Sequence, residues 1–88
     1  MSIYVDTLRV YREDRGCGIP TSHLATDGPI EELHAFAQAI GLPRMAFHAR
    51  AKHPHYDVRE AHRAKAVAAG AIEVTSKELV RKCFLSRR

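Results

Sequence analysis

The chain has 88 residues, 45% of them apolar, and a formal net charge of +4. That length allows one small domain with a modest core and excludes large multidomain enzyme architectures, while the apolar share excludes a disordered chain. The positive charge admits phosphate-bearing partners, but acidic residues are interspersed and no aromatic residues interleave with the basic ones, which favours an ordinary solvated surface over a nucleic-acid platform.

Ser2-Ile3-Tyr4-Val5-Asp6 reads as a first strand, β-branched and aromatic, ending on a carboxylate. Its alternation extends toward Leu8 and Val10, and Arg12 to Pro20, with Gly16, Gly18 and Pro20, reads as a loop. Thr21 to Thr26 is a brief extended piece around His23 and Leu24. A helix follows: Asp27 or Gly28 can cap it, Pro29 suits its first position, and Glu31 and Glu32 favour the positive end of its dipole. Ile30, Leu33, Ala37 and Ile40 form its apolar stripe, widened by Phe36, with His34 at the edge. Gly41 and Pro43 stop it.

Met45 to His48 reads as a second strand, followed by a loop to His55. Asp57 and Glu60 have capping-box spacing, so the pattern predicts a helix over Val58 to Ala69, ended by Gly70. Ala71 to Val74 is a third strand. Thr75 and Glu78 form another capping box, opening a last helix with Leu79, Val80, Cys83 and Phe84 for its buried face. Strands alternating with helices predict a small single α/β domain over residues 1–88, with a three-stranded, mainly parallel sheet. Ligands of such sheets bind beyond the carboxyl ends of the strands, where Asp6, His48, the His53–Asp57 stretch and Thr75 would meet.

His53-Pro54-His55-Tyr56-Asp57 is the densest chemistry in the chain. It overlaps the HxHxDH signature of binuclear metallo-hydrolases, but Val58 stands where the last His belongs and the chain is too short for that fold. A mononuclear site is the better reading. Its candidate ligands are His23, His34, His48, His53 and His55 with Asp6 and Asp57, since neutral imidazole and carboxylate suit Zn2+, with Mn2+ as the second choice. Without metal, His55 beside Asp57 or Asp6 is a candidate general base, and these three form the candidate catalytic set. Tyr56 is placed to orient a phosphate. The competing assignment is structural: Asp57 as a helix cap and the histidines as partners for buried polar groups. Val5-Asp6-Thr7 is similar to the first acidic strand of PIN-type nucleases, without a complete acidic quartet. Cys17 and Cys83 match no metal-ligand spacing, and His62 falls on the exposed side of its helix.

Taken together, Tyr4-Val5-Asp6, Ser22-His23-Leu24, Asp27, Glu31-Glu32-Leu33-His34-Ala35-Phe36-Ala37, Gly41-Leu42, His53 to Val58, Arg63 and Ala69-Gly70-Ala71 occur in one order. In this the chain resembles a family of small bacterial and phage proteins catalogued as domain of unknown function 4031. The resemblance spans nearly the whole chain and implies no established activity. It departs from the family pattern at Thr21, where a Trp often precedes Ser-His-Leu, and over Glu13 to Pro20. Arg63, within the matched residues, joins Tyr56 as a candidate for binding substrate.

The expectation is therefore an uncharacterised protein with a His/Asp-lined metal site, acting as a metal-dependent hydrolase on a phosphoester of a nucleotide or nucleic acid. The alternative is a non-catalytic module that binds nucleic acid or protein and whose histidines are structural. No basic segment followed by an apolar run opens the chain, and no run is long enough to span a membrane, so a cytoplasmic protein, as monomer or oligomer, is the default.

Overall fold

A computed structural model describes residues 2–9, 20–49 and 54–85. The chain forms β1 (Ile3–Val5), β2 (Thr21–Thr26), α1 (Ile30–Ala39), a short 3-10 turn (Arg44–Ala46), β3 (Phe47–His48), β4 (His55–Arg59), α2 (Glu60–Ala68), β5 (Ile72–Glu73) and α3 (Ser76–Val80), which runs on into a π-type turn (Arg81–Leu85). The strands make one mixed sheet in the order β3-β4-β2-β1-β5.

This corrects the expected three-stranded, mainly parallel sheet. Among these pairings only β1 and β5 run parallel; β1–β2, β2–β4 and β3–β4 are antiparallel. The reason lies in β2 and β4. Thr21–Thr26 is the longest strand and occupies the centre, bonded on both edges. His55–Arg59 alternates inward Tyr56 and Val58 with less buried His55 and Asp57, the period of a strand. Asp57 is accordingly a strand residue and not a helix cap, and α2 begins at Glu60 with Arg59 as its cap position. The chain leaves β2 through α1, returns along β3 at the sheet edge and reverses into β4, which pairs antiparallel with β3 on one side and with β2 on the other.

Two helices cover one face. Val5, Leu24, Leu33, Ala37, Ile40, Leu42, Tyr56, Val58, Ala66 and Ala71 form the main core between the sheet and α1 with α2. Tyr4, Ala25, Leu79 and Cys83 form a second cluster on the opposite face, under α3. Cys17 lies outside the described residues.

The helix ends follow local chemistry. Pro29 takes the cap position of α1 in extended geometry and no side chain caps it, so neither Asp27 nor Gly28 plays that part. Asp27 instead accepts a hydrogen bond from Ser2 N at 2.7 Å, which ties the end of β2 to the start of β1. Beyond α1, Gly41 adopts φ +82, Gly41 N donates to Gln38 O and Leu42 N to Ala37 O. Gly70 repeats this at φ +112, with Gly70 N to Val67 O and Ala71 N to Ala66 O. Both ends are Schellman motifs, whose left-handed residue only glycine adopts without a Cβ penalty. At α3 the expected capping box is present: Glu78 N donates to Thr75 Oγ1 and Thr75 N to Glu78 Oε1.

Candidate metal centre

The second face of the sheet carries a polar row across four adjacent segments. His48 stands on β3, His55 and Asp57 on β4, His23 on β2, and Asp6 directly after β1. Antiparallel register sets His23 opposite Asp57 and His48 opposite His55. Because alternate residues of a strand share a face, His55 and Asp57 point the same way while Tyr56 points into the core. The residues thus meet on a face of the sheet and not beyond the carboxyl ends of parallel strands.

Asp6 is fully buried. Its Oδ1 accepts from His23 N at 2.7 Å, and its Oδ2 lies 2.9 Å from His23 Nδ1 and accepts from Ser76 Oγ at 3.0 Å. Its backbone is held as well, with Asp6 N donating to His23 O at 3.1 Å and Arg63 Nε donating to Asp6 O at 3.0 Å. A carboxylate only accepts, so His23 Nδ1 carries the proton, and in the neutral ring Nε2 is the basic nitrogen. This is the arrangement that fixes the tautomer and orientation of a metal-ligating histidine.

Beside this pair the other imidazoles stack. The His23 and His55 rings meet edge to face at 4.9 Å between centroids, and His55 and His48 lie nearly parallel at 5.1 Å. Asp57 Oδ2 is 2.7 Å from His48 Nε2 and Asp57 Oδ1 is 3.2 Å from His55 Nε2. Burial works to raise the Asp57 carboxyl pKa, but the hydrogen bond from His55 and the nearby His48, His55 and His23 outweigh it and hold the group below its ordinary value. Asp57 is therefore an anion at neutral pH.

One ligand atom each from His23, His55 and Asp57 lie within 4.8 Å of one another. Ligands about 2.0–2.2 Å from a tetrahedral Zn2+ sit roughly 3.4 Å apart, so small side-chain rotations would close the set. Two imidazoles and a carboxylate are a donor set that zinc accepts, leaving a further position open. A cleft of about 230 Å³ opens beside them. It is lined by Asp6, Arg9, His23 and His55 from the sheet and its flanking segment, and by Ser76, Leu79, Val80 and Phe84 from the C-terminal helical segment.

Other expected site residues fall elsewhere. His34 lies on the core side, its Nδ1 2.8 Å from the Tyr56 hydroxyl and its ring edge-on to Phe47 at 4.6 Å. Burial, with the Arg44 charge, lowers its pKa against a smaller opposing effect of Glu31. Tyr56 is only 1% exposed, and burial raises its pKa while Arg44 opposes. The sheet thus separates His34 and Tyr56 from Asp57 and His55. Arg63 reaches the Asp6 carbonyl and Glu73 Oε1, the latter at 3.2 Å, and does not line the cleft. His48 stays in the polar row, in contact with Asp57 and beside the His23, His55 and Asp57 cluster. His53 lies outside the described residues. Sequence patterns missed Ser76, while Arg9 was readable only as one of a basic group with Arg12 and Arg15. The only signal for Ser76 was its place after Thr75.

A family model for proteins of unknown function matches residues 3–85. The chain belongs to the DUF4031 family. The match takes in every strand of the described residues together with His23, His55 and Asp57. No curated protein matches the chain, and no solved structure does. Among the described residues, no helix is long and apolar enough to cross a membrane.

Proposed function

We propose that His23, His55 and Asp57 hold one divalent transition-metal ion, Zn2+ before Mn2+, and that the protein uses it to hydrolyse a phosphate monoester. The convergence of these ligand atoms from two strands, backed by the buried Asp6 carboxylate on His23 Nδ1, carries the reading. An ion there supplies a Lewis acid and lowers the pKa of bound water. In the overall reaction, water adds to phosphorus, the ester P–O bond breaks, and the alcohol leaves with a proton while phosphate remains. The chain's own part is orientation. Asp6 holds the His23 tautomer, Asp57 contributes the negative charge that offsets the ion, and Arg9 on the cleft favours an anionic substrate.

The test is metal uptake by protein without a histidine tag, followed by hydrolysis of p-nitrophenyl phosphate. We expect one zinc per chain, lost in His55→Ala and Asp57→Asn, and a rate that tracks metal content. Protein that takes up neither zinc nor manganese sinks the metal centre, and a metal-loaded protein inert toward phosphate esters sinks the hydrolase.

A further inference from the structure

The cleft has two unlike walls. The sheet wall carries the proposed ligands His23 and His55 with the buried Asp6; the α3 wall begins with the Ser76 hydroxyl, which donates to Asp6, and continues with Leu79, Val80 and Phe84, which present hydrocarbon and one aromatic ring. Arg9 lines the same cleft. Its backbone is pinned by a reciprocal pair of hydrogen bonds, Arg9 N to Thr21 O at 2.9 Å and Thr21 N to Arg9 O at 2.8 Å. The base of the Arg9 side chain is therefore fixed relative to His23, two residues along β2 from Thr21.

A small sugar phosphate or inorganic phosphate would meet only the polar wall and Arg9, leaving the apolar wall wet. A ligand that satisfies both sides has an anionic head and a flat apolar body. We infer that the cleft binds a ring-bearing phosphate monoester, its phosphoryl group toward Arg9 and the His23–His55 wall and its ring against Val80 and Phe84. This rests on the proposed metal centre for its chemistry but on the apolar wall for its selectivity. Stacking and burial of a ring on an aromatic wall adds directly to affinity, whereas a guanidinium recognises the phosphate and is indifferent to the ring. About 230 Å³ accommodates a phosphate with one ring system and excludes a folded macromolecular surface.

The test titrates inorganic phosphate, glycerol phosphate, phenyl phosphate and adenosine 5′-monophosphate into zinc-loaded and metal-free protein by calorimetry. Backbone amide shifts are followed in parallel. A ring-bearing ester should bind about tenfold more tightly than glycerol phosphate, with the largest shifts at Leu79, Val80 and Phe84. Phenyl phosphate as the tighter of the two marks a short aryl body, and the nucleotide as the tighter marks a base carried on a sugar. Arg9→Gln should weaken all four ligands, and Phe84→Leu should erase the ring preference alone. Should Phe84→Leu fail to fold, the shift map on the unaltered chain still decides. Equal affinity for all four esters and phosphate, or shifts that avoid α3, overturns the inference. If that happens in protein that takes up zinc, the metal centre stands. If the ring preference persists in protein that takes up no metal, the cleft stands and the metal centre falls.

Discussion

Replacing Asp6 separates structure from metal binding at one buried group. The carboxylate is fully buried and accepts from three donors, His23 N, His23 Nδ1 and Ser76 Oγ. Hydrogen bonds to a charged acceptor contribute about 1.5–3 kcal/mol each, and a buried donor left without one costs about 1–3 kcal/mol. Asp6→Ala strands the His23 amide between strands and frees Ser76 to turn to solvent, for a loss of roughly 3–5 kcal/mol. A chain of this size has only about 4–13 kcal/mol in total. Ala is therefore too blunt, and Asp6→Asn is the informative change. Its carbonyl still accepts from His23 N, but its amide now faces Nδ1. The imidazole adapts by moving its proton to Nε2, so that Nδ1 accepts. The stability loss is then about 1–2 kcal/mol, a fall of roughly 5–15 °C in Tm for a domain of this length. The ligand atom, by contrast, is now protonated, and zinc affinity should drop about 10–100-fold. Competitive zinc titration, melting of the metal-free protein, and imidazole nitrogen shifts together read all three effects. Unchanged zinc affinity in a variant whose His23 has switched tautomer would refute the role given to Asp6. So would a wild-type His23 protonated on Nε2.

Three further outcomes follow from other parts of the fold. Ser22 Oγ is buried and finds no hydrogen-bond partner among the described residues, so Ser22→Ala should be neutral or raise stability by about 1 kcal/mol, read as a rise in Tm; a loss larger than that would show a partner the described residues lack. Thr75→Ala removes the capping box of α3 and should cost about 1 kcal/mol in denaturant melts, with amide exchange rising first in Ser76–Val80; unchanged exchange there would contradict it. His34 has its pKa lowered from 6.5, so the unfolded chain takes up its proton before the folded one does. The resulting stability is present above 6.5 and is lost as pH falls from there through the lowered folded value. Asp57, also lowered, loses its contribution only at more acidic pH, below the ordinary 3.8. His34→Gln should therefore flatten the stability profile just below 6.5 and leave the acid limb, and an unaltered profile there would remove His34 as its source.

Elements with strong local chemistry were legible in the sequence. The 3.6-residue stripe of α1, the Gly41 stop and the Thr75–Glu78 box all depend on neighbours in the chain, and all three are present. The extended character of Thr21–Thr26 was also readable, but its central place was not, because strand order depends on partners far along the chain. Asp57 shows the limit best. Its spacing from Glu60 satisfied a capping pattern while Tyr56 and Val58 satisfied a strand alternation, and pairing on both edges of β4 decided for the strand. Asp6, His23, His55 and Asp57 were all named from residue type, and the fold gathers them. His34 was not separable from them by sequence, since its position at the edge of the α1 stripe leaves the choice of sheet face to tertiary packing.

The pairing of β2 with β4 has one more consequence. His55 and Asp57 alternate with Tyr56 and Val58 along a strand whose period is two. A slip of β4 by a single residue against Thr21–Thr26 would turn an imidazole and a carboxylate into the hydrocarbon interior and a tyrosine and a valine out toward the cleft. That mispaired sheet would lose its core and its ligands in the same step. Metal uptake would thus proofread folding, because only the correctly aligned sheet presents a site, and any ion bound there adds its free energy to that alignment alone.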